Sequence, residues 1–237
     1  MIPAGIFLEI PCPDVVEMAS LAGWDFVVID TEHGAMGTAQ LPNMLRAAHV
    51  PAIVRVAGRP DLLQSALDCG ADGVLVPQIH TADEAAAVVS ASRFHPAGRR
   101  GLNGFVRAAG YSLVPMEEYL RRPVRVVIQI ETAGALAEVE AIAGLAGVDE
   151  LFIGPYDLSQ ALGRPGDVMH AEVLAAGQRV IHAAHAAGIE VSAFANSLES
   201  ADRWREMGVD RLLYSADAYL LAQALRRVRD ELRYVAG

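Results

Sequence analysis

Residues 125–159 read RVVIQIETAGALAEVEAIAGLAGVDELFIGPYDLS. Arg125–Ile130 is an apolar, Val- and Ile-rich run of strand length, and Glu150–Ile153 is a second one. The Ala-rich stretch Thr132–Ala143 between them has helical character. A strand, a helix and another strand in this order imply parallel pairing, because parallel strands need a long crossover. Strands that are apolar almost throughout, rather than alternating, imply a sheet covered on both faces.

The same alternation runs outward in both directions. Further strands are expected at Ile6–Ile10, Phe26–Ile29, Ala52–Val56, Gly73–Val76, Glu190–Phe194 and Arg211–Tyr214. Helical patterns fall at Asp61–Cys69, Ala82–Arg93, Ala171–Ala187 and Leu198–Met207. Eight such units in 237 residues predict one α/β domain over residues 1–237, a (β/α)8 barrel. Pro96–Ser112, rich in Gly and Arg, interrupts the pattern and is expected to be a functional loop over the barrel mouth.

Composition excludes several classes of chemistry and partner. The net charge of −10 speaks against nucleic acid and anionic membranes, which reward clustered Lys and Arg. All 19 basic residues are Arg. Without lysine there is no Schiff base, no pyridoxal phosphate anchor and no Walker-type phosphate lysine. Cys12 and Cys69 lie far apart without CxxC spacing, so the expectation is a reducing cytoplasm with neither disulfide framework nor structural zinc. The N-terminal MIPAGIFLEIPCPD lacks a basic region and reads as a first strand rather than a leader. No apolar stretch reaches the ~20 residues needed to span a bilayer, so a soluble protein is expected.

In a barrel, chemistry collects at the C-terminal ends of the strands. Strand two ends in Asp30-Thr31-Glu32-His33-Gly34, and strand three carries Arg55 on the face of Ile53. Strand five ends in Gln129-Ile130-Glu131, whose period of two puts Gln129 and Glu131 on one face. Strand six runs into Gly154-Pro155-Tyr156-Asp157. Glu131 and Asp157 suit a hard divalent cation, which takes few carboxylates and leaves positions for water and a 2-keto acid. Each could instead cap a following helix. Arg55 needs an anionic partner, either structural or substrate. Asp68 sits late in a helix, where the macrodipole disfavours a carboxylate, and His33 is one candidate partner.

Six motifs then carry a resemblance over nearly the whole chain: IDTEHG (29–34), VRV (54–56), LDCGADGVLVPQIHTADEA (67–85), PAGRRG (96–101), IQIET (128–132) and FIGPYDLS (152–159). In this order they resemble the metal-dependent (class II) 2-keto-3-deoxy-sugar-acid and 2,4-dihydroxyhept-2-ene-1,7-dioate aldolases. That family lies within the superfamily of the citrate lyase β-subunit. The resemblance implies a TIM barrel whose C-terminal helix is exchanged between neighbouring subunits of a homohexamer. It implies a divalent metal (Mg²⁺, Mn²⁺ or Co²⁺) on Glu131 and Asp157, with Arg55 on the keto or enolate oxygen. His33 paired with Asp68 would move the proton, and Glu32 would order water at the metal. Gln129, Gly154, Pro155 and Ala193 would line the substrate site, and Arg100 belongs to the PAGRRG loop.

The implied reaction is reversible cleavage of a 4-hydroxy-2-keto acid to pyruvate, or hydroxypyruvate, plus an aldehyde. Ser192, Ala193 and Phe194, and the turn Tyr214-Ser215-Ala216-Asp217, depart from the family pattern near the expected acceptor pocket. Two other readings stand beside this one. One is a CoA-ester lyase or thioesterase of the same superfamily, using three arginines of the Pro96–Arg107 loop. The other is a barrel that binds a metal–keto acid complex without turnover.

Overall fold

The computed structural model describes residues 2–57 and 60–235. Eight strands form a closed, all-parallel barrel in sequence order: β1 Ala4–Leu8, β2 Phe26–Asp30, β3 Ala52–Arg55, β4 Gly73–Val76, β5 Arg125–Ile130, β6 Glu150–Ile153, β7 Glu190–Ala195 and β8 Arg211–Ala216. Closure comes where β8 pairs with β1, with an irregularity between Gly5 and Phe7. The expected (β/α)8 fold is therefore the fold observed.

Alternation along each strand sorts the core into two parts. Residues such as Leu8, Ile29, Val54, Val74, Ile128 and Ile153 face the surrounding helices. Their neighbours Phe7, Val28, Ile53, Leu75, Val127, Phe152 and Leu213 fill the barrel, with Phe194 packed against them. Phe7 meets Phe152 edge-on at 6.0 Å and Phe194 at 5.9 Å. An eight-stranded barrel is just wide enough for such a filling. Two residues further along, the same inward face carries Glu9, Asp30, Arg55, Gln129 and Gly154. The mouth is thus a polar layer resting on an aromatic floor.

The opposite end is closed by ions. Glu150, the first residue of β6, is buried; it accepts from Arg125 Nε and Arg211 Nη1, each at 2.7 Å, and from Ser192 Oγ. Arg211 also lies over the Phe26 ring at 3.9 Å. Two guanidinium groups at the entrances of β5 and β8 share this one carboxylate, and Glu190 gives Arg125 a second partner.

Two expectations need correction. Pro96–Ser112 does not cover the mouth of its own barrel. It follows the helix Ala82–Ser92 and leads to the start of β5, so it belongs to the N-terminal end and flank. It contains the 3₁₀ turn Arg107–Ser112, and its contact fits that position: Arg107 donates to Cys69 O, at the entrance to β4. The single helix expected over Thr132–Ala143 is two short ones, Ala133–Ala137 and Val139–Ala143, broken at Glu138. The helices Ala171–Ala187 and Leu198–Met207 match their sequence bounds.

Glu150→Ala removes the carboxylate paired with Arg211 and leaves Arg125 only its outer partner Glu190, and breaking a buried ion pair from one side is costly. Because Arg125 is 30% exposed, the loss is discounted to about 2–4 kcal/mol. Urea denaturation should show it, with no change in activity per folded molecule.

Candidate active site

Asp30 organises one side of the mouth. Fully buried, it accepts from Arg55 Nε at 2.9 Å and also from Arg55 Nη2. Its Oδ1 takes two further backbone donors, Glu32 N at 2.9 Å and His33 N at 3.3 Å. Burial alone would raise the Asp30 carboxyl, but Arg55 and these N–H groups outweigh it and hold it below the usual carboxylate range. Arg55 lies 4.5 Å over the Phe7 ring and reaches Glu32 at 3.4 Å, and Glu32 is 3.7 Å from His33.

Glu131 organises the other side. Its Oε1 accepts from Gln78 N at 2.7 Å and its Oε2 from the Gln129 amide. Gln78 holds φ at 58°, an unfavourable value for a residue with a Cβ, while its side-chain amide donates to Glu32 at 2.8 Å. Such strain persists where the surroundings enforce it, which is common at binding sites. Burial pushes the Glu131 carboxyl up to about 7, with repulsion from Asp157 and Glu32 added and only the Gln78 and Gln129 donors opposing. Three carboxylates thus converge with less positive charge than they need.

The capping readings of Glu131 and Asp157 fail. Thr132 is the helix cap, accepting from Ala135 N at 3.0 Å. Asp157 lies in the first turn of the helix Pro155–Ala161 and makes no capping bond. Gly154 lets β6 approach these groups closely, since a Cβ there would sit 2.8 Å from Gln129 Nε2 and 3.1 Å from Glu131 Oε2.

These groups surround a cavity of about 250 Å³ lined by His33, Arg55, Gln129, Gly154, Pro155 and Asp157 among others. Gln129 Oε1 is buried without a hydrogen-bond partner, an acceptor left for a ligand. Among the described residues no group of three or more His, Cys, Asp or Glu is arranged to hold a metal. The donor set nevertheless fits Mg²⁺ or Mn²⁺, which bind through one or two carboxylates plus water and substrate oxygens.

Two other expected site residues lie elsewhere. Asp68 ends the helix Pro60–Asp68 and is held by Arg100 at 2.9 Å. Arg100 in turn stacks on Phe94 at 4.6 Å. Among the described residues no hydrogen bond or ion pair joins Asp68 to His33. Ala193 faces the helices in the outer core, and its neighbour Phe194 lines the cavity instead. A one-residue difference along a strand reverses the face.

Sequence reasoning missed Asp30, Gln78 and Glu9 as parts of the site. Asp30 had a signal in its position two residues beyond Val28, on the inward face. The backbone conformation of Gln78 left no signal in the sequence.

Comparison with known proteins places the whole arrangement. The family model described as HpcH/HpaI aldolase/citrate lyase matches residues 4–224. The chain is 37% identical over 242 residues to a hydroxypyruvate/pyruvate aldolase of Paraburkholderia phytofirmans, covering 97% of this chain and 92% of the relative. It is 35% identical over 231 residues to a 2-keto-3-deoxy-L-rhamnonate aldolase of Klebsiella pneumoniae, covering 94% and 86%. A crystal structure of an HpcH/HpaI aldolase/citrate lyase family protein from Burkholderia cenocepacia superposes with a TM-score of 0.91 at 38% identity, covering 98% and 95%. The chain belongs to the HpcH/HpaI aldolase/citrate lyase family and is a carbon–carbon lyase, an aldolase of that family.

The raised Glu131 carboxyl has a consequence for the metal-free protein. Glu131 binds its proton more tightly folded than unfolded. Between the ordinary value of 4.5 and about 7, its contribution to stability therefore falls as pH rises. A divalent cation bound at Glu131 would replace that proton. Adding Mn²⁺ should therefore raise the melting temperature more at pH 8 than at pH 6, as followed by scanning fluorimetry. An equal rise at both would remove Glu131 from the ligands.

Proposed function

We propose that this aldolase cleaves a 4-hydroxy-2-keto acid to pyruvate or hydroxypyruvate and an aldehyde, reversibly, with a divalent metal held by Glu131 and Asp157. The nearness of Asp157 to Glu131, with Arg55 lining the same cavity as Asp157, carries this reading. When bound, the cation supplies Lewis-acid stabilisation to the negative charge that develops on the keto oxygen. Mg²⁺, Mn²⁺ and Co²⁺ all suit an oxygen-donor site; pyridoxal phosphate and an imine mechanism have no lysine to use.

Arg55 is already fixed by Asp30 and Glu32, so it meets the developing oxyanion without reorganising. The free acceptor of Gln129 can take a hydroxyl, which hydroxypyruvate carries at C3 and pyruvate lacks. His33, half open to the cavity and close to Glu32, takes the proton of the 4-hydroxyl as the C3–C4 bond breaks and returns it in the aldol direction. Asp68, tied to Arg100, has no part in this transfer within one chain.

The CoA-ester alternative loses support because two of its three arginines are engaged, Arg100 with Asp68 and Arg107 with Cys69 O. Binding without turnover would need a missing catalytic group, and His33, Arg55 and Asp157 line the cavity while Glu131 lines an adjoining one that shares His33 and Asp157.

A homohexamer with exchanged C-terminal helices is supported by the helix Asp217–Val235. It exposes Leu221, Leu225, Val228 and Leu232, an apolar stripe at helical spacing. No described helix is long and apolar enough to cross a membrane, and both cysteines are free thiols, which supports a reducing cytoplasmic setting.

Two measurements test these assignments. Metal-stripped enzyme should release no pyruvate from a 4-hydroxy-2-keto acid, and Mg²⁺, Mn²⁺ or Co²⁺ should restore it; full activity after stripping would refute the metal's role. Leu225→Glu with Leu232→Glu should reduce the mass found by light scattering, whereas an unchanged assembly would place the interface elsewhere.

A further inference from the structure

The barrel closes in sequence order, so β1 stands across the ring from β5. With the keto acid held at β5, β6 and Arg55, a second substrate has to approach from the β1, β7 and β8 side. That side offers Phe7, Phe194 and Ala216 to the cavity, and one charged residue, Glu9. Glu9 follows β1 two residues after Phe7 and so points with it into the mouth.

Its backbone is fixed on two sides. Asp217 accepts from Glu9 N at 2.8 Å and from Ile10 N at 3.1 Å. Gly34 packs so closely that a Cβ there would stand 2.9 Å from Glu9 O and 2.6 Å from Asp30 O. The side chain, by contrast, is uncommitted: among the described residues none donates a hydrogen bond to its carboxylate. Among the described residues the one guanidinium lining the cavity, Arg55, is already shared between Asp30 and Glu32.

We propose that Glu9 determines the choice of aldehyde, disfavouring those that carry a carboxylate and favouring short, uncharged ones with a hydroxyl to donate to it. An anionic aldehyde would bring a second negative charge against Glu9 with no spare cation to offset it, which is how an unpaired charge rejects a competitor. A hydroxyl supplies the donor that Glu9 lacks, and a site built to bond a hydroxyl discriminates strongly for it. Burial and repulsion from Asp30 and Asp217 hold the Glu9 carboxyl above its ordinary value, in keeping with a group short of partners. The cavity is about 250 Å³ and the keto acid takes part of it, which favours a short aldehyde.

This rests on the aldolase reading, and the experiment separates the two. The ratio of kcat/KM for glycolaldehyde to that for glyoxylate, with pyruvate as donor, is measured on single preparations of wild type and Glu9→Gln, so a partly folded fraction cancels. Wild type should favour glycolaldehyde, and Glu9→Gln should shift the ratio toward glyoxylate at least tenfold. Glu9→Ser should shift it in the same direction. Deuterium exchange at the pyruvate methyl is followed in wild type alongside. Exchange with an unshifted ratio would overturn the role of Glu9 alone. Absence of exchange and of condensation would overturn the aldolase reading and this inference with it.

Discussion

A carboxylate removed from water stays ionised only if cations and N–H groups replace the hydration it has lost. Asp30 meets that condition through both nitrogens of one edge of Arg55 and the backbone of Glu32 and His33. The pair ties β2 to β3, fixes the turn that carries His33, and lays the guanidinium on the Phe7 ring of β1. Three consecutive strands of the mouth therefore share one electrostatic anchor. Loss of either member would leave a buried charge and loosen every group hung from it.

The rest of the mouth contrasts with this. Around Asp30 the charges are balanced by the fold itself, whereas Glu131, Asp157 and Glu32 repel one another. The first half is therefore preorganised before anything binds, and the second half is completed by what binds. Preorganised donors aimed at the place where charge develops give more stabilisation than donors that must reorient during the reaction. The aromatic floor of Phe7, Phe152 and Phe194 keeps the layer dry from below, and the polar layer cannot sink because the barrel beneath is full.

Much of this was legible in the sequence. The continuous apolar runs of β4, β5 and β6 gave those strands their bounds, and the period of two put Gln129 and Glu131 on one face. Glu9 was overlooked because reading the first strand as Ile6–Ile10 enclosed it; the strand ends at Leu8, leaving Glu9 at the rim. Ala193 entered the expected site through the resemblance, while alternation turns its neighbour Phe194 inward. Asp68 was paired with His33 because a carboxylate late in a helix needs a donor and because the resemblance implies that pair. Its partner Arg100 lies 32 residues away in a connection without helix or strand periodicity, where neither period offers guidance. The Pro96–Ser112 segment was unusual in composition, but composition does not say at which end of a barrel a connection lies.

Every strong cation in this fold is a guanidinium. The ionic floor under Glu150, the Asp30 anchor and the Asp68 contact all draw on it, and arginine stays protonated over any pH at which the chain is folded. A protein that handles aldehydes has a further use for this choice. Primary amines condense with free aldehydes, and lysine side chains are where such adducts accumulate on proteins. Holding its architecture together with arginine alone gives the molecule charged struts that do not form imines with an aldehyde as lysine would.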